Sequence, residues 1–130
     1  MAPFHNWMDI VKDLEPGPTL PAGMSRRGII LGEVMLALHE ALPNLKGTPH
    51  RHSSAQIAYI LKGKLRMSIG EEVRVLSPGE FAYVPPSILH GIESLDEYVL
   101  ILDIFTPPRT DIIERLKELE RKGSEGVRTP

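Results

Sequence analysis

The 130-residue sequence contains no cysteine. That excludes a disulfide framework, thiolate metal sites and cysteine nucleophiles, and it fits a reducing compartment. An excess of charge of one sign is also missing. Fifteen Lys and Arg against 17 Asp and Glu leave a formal net charge of -2. Nothing therefore draws the chain to nucleic acid or to an anionic membrane, and no basic stripe or DNA-binding motif is seen. No apolar run is long enough to span a bilayer. The first residues, Met1-Ala2-Pro3-Phe4-His5-Asn6-Trp7, lack the basic region and apolar stretch of a secretory leader. A cytoplasmic protein with neither nucleic-acid nor membrane partners is expected. The remaining composition, 42% hydrophobic and 25% charged, is usual for a globular chain. The length suits one domain, 1–130, burying roughly two-thirds of its unfolded surface.

Twelve prolines and eleven glycines punctuate short apolar segments, the pattern of many strands joined by turns. After a turn-rich stretch at residues 15–23, the pattern predicts strands over 28–31, 34–42, 56–61, 64–69, 72–76, 81–84 and 97–105. Gly70-Glu71 reads as a hairpin turn. Strands so spaced predict a sandwich or barrel. From Asp111 the pattern changes: Ile112, Ile113, Leu116 and Leu119 follow helical spacing. A helix is expected over about 111–122, opened by Asp111 with Glu114 as a capping box and stopped at Gly123. Its apolar stripe should lie on the barrel, and the tail beyond Gly123 should fray.

Of the five histidines, His50, His52 and His90 form a pattern. Two residues apart on a strand, His50 and His52 would leave the same face, and Gln56 shares their parity. His90 follows the proline-rich turn Pro85-Pro86-Ser87 and would add a third nitrogen from another strand. His39 and His5 fit no such frame and are not expected to be ligands.

These residues sit in two blocks that resemble the paired motifs of the cupin superfamily, G-x5-H-x-H-x3-4-E-x6-G and G-x5-P-x-G-x2-H-x3-N. His50, His52, Gly63, Gly79, Pro85 and His90 match in spacing. Asn44 stands at the first glycine position, Gln56 replaces the acid, Ser87 the second-block glycine and Ser94 the terminal asparagine. The resemblance spans roughly residues 25–105. It implies an all-β double-stranded β-helix (a cupin or jelly-roll barrel) with a short C-terminal helix. It further implies one divalent metal ion on His50, His52, Gln56 and His90. Zinc, nickel, manganese, iron and cobalt all suit such ligands to differing degrees. A homodimer is expected, because a small sandwich leaves sheet edges to protect; the segment around Trp7 could cross to the partner.

An amide oxygen is a neutral ligand, so Gln56 would leave the full charge on the ion. That makes a stronger anion trap and Lewis acid and a poorer home for ferrous oxygen chemistry, whose common ligand set includes a carboxylate. Gln56 turned away, with water in its place, is the other reading. Asp103 interrupts the apolar strand Val99-Leu100-Ile101-Leu102-Asp103-Ile104-Phe105. Burying a carboxylate is costly unless it is paired, so Asp103 is either a structural partner or a general acid/base facing the cavity. Phe105 shares its parity and would line the same cavity or pack in the core. Arg109 follows Pro107-Pro108 and would either clamp a substrate carboxylate or pair with Asp111 or the final helix.

The run from Asp103 through Phe105, Pro107 and Arg109 to Asp111, with the His/His/Gln/His set, resembles the cupins that act on unsaturated monouronates from pectin and alginate breakdown. That resemblance implies a small anionic substrate, a sugar acid, and non-oxidative ring opening and keto–enol conversion with Asp103, Arg109 and Phe105 at the active site. The alternatives are a metal-dependent dioxygenase, a non-catalytic cupin that binds a small ligand, and a barrel whose metal is only structural.

Overall fold

The computed structural model describes residues 2–128. Eight strands form two antiparallel sheets: β1 (Met24–Leu31), β2 (Val34–Ala41), β3 (Ala55–Lys62), β4 (Leu65–Ile69), β5 (Glu72–Leu76), β6 (Phe81–Val84), β7 (His90–Ser94) and β8 (Val99–Thr106). One sheet has the order β1-β2-β8-β3-β6 and the other β5-β4-β7. Helix α1 (Thr110–Arg128) follows. The strand pattern predicts such a two-sheet barrel followed by a helix, and the resemblance implies its jelly-roll form.

Alternation makes the interior. On β2 the residues Met35, Ala37, His39 and Ala41 are buried, and on β8 Val99, Ile101, Asp103 and Phe105. Both sets therefore point between the sheets. At one end the interior is an apolar core built around Ala58, Ile60, Leu65, Met67, Val84 and Val99. At the other, Met35, Ala37 and Phe105 pack with Ile112 of α1, flanked by Ile113 and Leu116. The helix thus lays its predicted stripe on the barrel. Leu116 sits where a side chain at Gly28 would go, 3.2 Å from an ideal Cβ.

The differences from the sequence reading have local causes. Strand β1 starts at Met24 rather than Gly28. Its early residues include Arg26, only 1% exposed, whose charge breaks the apolar pattern. Arg26 is held inside by Asp13, at 3.6 Å, and by the carbonyl and hydroxyl of Thr19. Strand β7 lies outside the predicted ranges, although His90 is expected on a further strand. Its sequence, His90-Gly91-Ile92-Glu93-Ser94, carries no alternation and is extended by its pairing with β4. Helix α1 continues through Gly123 to Arg128. A glycine stops a helix only by turning left-handed; inside one it costs merely about 1 kcal/mol relative to alanine. Asp111 is not the cap: it lies in the first turn, its carboxylate bound to Arg109.

The motif departures are informative. Among the described residues Asn44 and Ser87 are the positive-φ non-glycine residues, at 59° and 64°, so both keep the left-handed backbone that glycine would otherwise supply. The Ser94 hydroxyl accepts from the Leu45 amide and donates to the Leu42 carbonyl, pinning the loop that leads to the histidines.

Candidate metal centre

His50 and His90 face each other across an isolated bridge. The His50 amide donates to the His90 carbonyl at 2.8 Å and the His90 amide to the His50 carbonyl at 2.9 Å. His52 lies in the loop before β3, with its carbonyl taking the Ser87 amide at 2.7 Å. The candidate ligands therefore do not share one strand, since the chain bends at 53–54 before Ala55. The rings converge all the same. Their centroids are 4.5 Å apart for His50 and His90, 4.7 Å for His52 and His90, and 5.6 Å for His50 and His52. One ring nitrogen from each lies within 4.8 Å of the others.

Each Nδ1 is taken by a backbone carbonyl: Thr48 at 3.4 Å for His50, Ser54 at 2.9 Å for His52 and Ile88 at 2.9 Å for His90. A carbonyl only accepts, so each proton sits on Nδ1 and each Nε2 turns a lone pair inward. Burial, and then the positive charge of Arg109, holds His50 and His52 below the ordinary imidazole range. Burial does the same for His90. The three rings are thus kept neutral, the form that binds metal.

Gln56, at the start of β3, lies beside the three histidines. Its Nε2 donates to Asp103 Oδ1 at 2.8 Å, so its carbonyl oxygen faces the histidines, 3.1 Å from His52 Nε2. With the His52 proton on Nδ1, two lone pairs oppose each other at that distance. His90 Nε2 is sealed from solvent and has no hydrogen-bond partner. Such an unpaired buried acceptor is costly. A divalent cation between these atoms resolves both features, and the donor set of three imidazoles and one amide oxygen fits it.

The site opens on a cavity of about 330 Å³, with His39, His50, Gln56, His90, Asp103, Phe105 and Arg109 on its wall together with Gly17, Pro18 and Thr19. Asp103 is 6% exposed. Its second oxygen, Oδ2, takes Nδ1 of His39 at 2.8 Å, and among the described residues its ion-pair partner is this histidine and not an arginine. Arg109 combines both expectations for it. It lines the cavity over the Phe105 ring, 5.3 Å from the centroid, and it grips Asp111 through Nε at 3.1 Å and Nη2 at 2.6 Å. Phe105 packs edge-on to His52, at 5.6 Å, while its other side joins the core.

His5 and His39 stand outside the converging group. His39 is nevertheless part of the site through Asp103, and the sequence reading passed over it. The signal was there: on β2 the inward positions are Met35, Ala37, His39 and Ala41, and one of them is polar.

A profile of the family described as "Cupin domain" matches residues 37–105. Pectin degradation protein KdgF of Dickeya dadantii (strain 3937) is 32% identical over 106 residues, spanning 79% of this chain and 96% of that protein. Among solved structures, KdgF from Halomonas sp. is 30% identical with a TM-score of 0.66, over 69% of this chain and 84% of that one. An RmlC-like cupin from Shewanella frigidimarina reaches a TM-score of 0.75 at 22% identity, over 86% and 96% of the two chains. The last likeness is one of fold alone.

Proposed function

The chain belongs to the cupin domain family, and from that premise we propose that it is a metal-dependent, non-oxidative enzyme that opens the ring of a 4,5-unsaturated uronate or a similar small acidic sugar. The observation that carries this reading is the neutral donor set. Asp103 fixes the Gln56 amide so that oxygen, not nitrogen, faces three neutral imidazoles, and no carboxylate reduces the positive charge of the centre. Likeness to a pectin degradation protein over most of both chains supports the same substrate class.

A divalent ion held by His50, His52, Gln56 and His90 would keep its full charge and act as a Lewis acid toward an anionic ligand. Arg109 adds a second positive charge inside the cavity, already aimed by Asp111 and backed by Phe105. A substrate carboxylate arriving there competes with Asp111 for the guanidinium fork. Phe105 supplies an apolar wall against one ring face. Asp103 supplies the buried negative charge that stabilises a moving proton. In the reaction the anomeric hydroxyl loses its proton, the bond from C1 to the ring oxygen breaks, and C1 becomes an aldehyde. The ring oxygen leaves as the enolate of C5 and C4; a proton returned to C4 leaves the C5 ketone. The sum is an isomerisation and needs no oxidant.

The test is the ultraviolet absorbance of a freshly made 4,5-unsaturated monouronate. Wild-type protein reconstituted in turn with zinc, nickel, manganese, iron and cobalt should accelerate its loss above the spontaneous rate. Asp103→Asn should lower kcat about 10²-fold or more with little change in KM. Arg109→Lys keeps the charge but loses the fork, and should mainly raise KM. An unchanged spontaneous rate with every metal defeats the reading, and so does oxygen uptake matched to substrate loss, which would indicate a dioxygenase.

A further inference from the structure

We infer that His39 is the group that exchanges a proton with the bound acid, through its Nε2, and that Asp103 is the residue that positions it. The identity of the substrate rests on the ring-opening reading above; the geometry does not. Asp103 lies on the central strand β8, opposite Ala37 of β2 and Ala58 of β3. Two alanines leave room for the diagonal neighbours, His39 on β2 and Gln56 on β3, to reach the carboxylate from either side. Each oxygen takes one donor at 2.8 Å, Gln56 Nε2 on Oδ1 and His39 Nδ1 on Oδ2. Asp103 is 6% exposed, and its carboxylate is engaged by both neighbours.

The imidazole on its far side is free. A carboxylate acceptor fixes the His39 proton on Nδ1, which leaves a lone pair on Nε2. Among the described residues the side-chain atoms sealed from solvent without a partner are Arg26 Nε and His90 Nε2. Among the described residues His39 Nε2 has no hydrogen-bond partner either, yet it is not among the sealed atoms, and His39 lines the cavity. The contrast with the other three imidazoles is chemical. Theirs are backed by neutral carbonyls and converge on one point, as ligands require. His39 stands apart from that point and is backed by a negative charge, which stabilises the imidazolium formed when Nε2 accepts a proton. In the ring opening, Nε2 takes the anomeric hydroxyl proton as the C1–O bond breaks. The imidazolium then returns a proton to C4, so His39 ends as it began.

Two measurements on the full-length, zinc-supplemented protein test this. Long-range proton–nitrogen NMR should find His39 with its proton on Nδ1 and a bare Nε2, whatever the activity; a proton on Nε2 overturns the assignment. In kinetics, His39→Gln keeps a donor for Asp103 but has no base. It should lose about 10²-fold or more in kcat with KM within a few-fold and zinc content equal to wild type. His39→Ala should recover part of its rate in added imidazole. A His39→Gln enzyme with at least half of the wild-type kcat overturns the proposal. Should wild type leave the uronate untouched while the Nδ1 tautomer is found, the substrate reading fails and the dyad stands.

Discussion

Gln56 shows how much one amide settles. Its nitrogen satisfies Asp103 and its oxygen faces His52, so the aspartate chooses which atom a metal would meet. Ligands held from behind in this way lose affinity for metal when the support is removed. The ligand candidates were legible because His50, His52 and His90 stand at the spacing of the paired cupin motifs, with Gly63, Gly79 and Pro85 in place around them. The partners were not. Asp103 stood out as a charge in an apolar strand, but that its donors are His39 and Gln56 depends on the order β2-β8-β3, a long-range property. His39 went unread because its link to Asp103 spans 64 residues. The expected consequence at this scale concerns the histidines themselves. Replacing His50 and His52 together by alanine removes two of three imidazoles from half-exposed loop positions and no apolar core. Metal content by elemental analysis should fall to background while circular dichroism of the apo barrel is retained. Stoichiometric metal in the double variant would disprove the ligand set.

Strand boundaries were legible where alternation is clean, as on β2 and β8, and illegible where pairing alone extends the chain, as on β7. Glycine positions are the sharper case. Gly63 has φ 74°, and an ideal Cβ there would lie 2.1 Å from the Tyr98 carbonyl oxygen. That close approach joins the end of β3 to the start of β8, so the motif glycine is needed by the backbone and not by the metal. Gly32 has φ 65° but open space around it. Gly32→Ala should therefore cost only the left-handed penalty, roughly 1–2 kcal/mol. Gly63→Ala adds a backbone clash and should cost at least about 3 kcal/mol. Urea denaturation of the two variants compares them directly, and equal losses would show that the barrel yields freely at Gly63.

On the scale of the whole molecule, the site and the stability are linked through protons. His50, His52 and His90 are held below the ordinary imidazole value of 6.5, in each case first by burial. As pH falls below about 6.5, the unfolded chain takes up protons on these rings that the folded protein refuses. The unfolded state then binds more protons, so unfolding free energy drops with falling pH. Asp13 acts in the same direction but in another window. The Arg115 hydrogen bond outweighs burial and keeps its carboxyl below the usual value of 3.8, so its contribution is lost only in stronger acid. Between pH 7.5 and 5 the histidines should dominate. The melting temperature of metal-free protein should decline over that interval, and the decline should shrink in the His50→Ala, His52→Ala variant. Saturating metal should raise the melting temperature near neutral pH, by an amount worth about 4 kcal/mol at a thousand times Kd. That increment should vanish faster than the apo stability as pH falls, because protons compete for the same Nε2 lone pairs. Calorimetry at constant ionic strength measures both slopes. A metal-free melting temperature that stays level from pH 7.5 to 5 would mean the three rings are protonated as readily in the folded chain as in the unfolded one, and the neutral donor set would have to be abandoned.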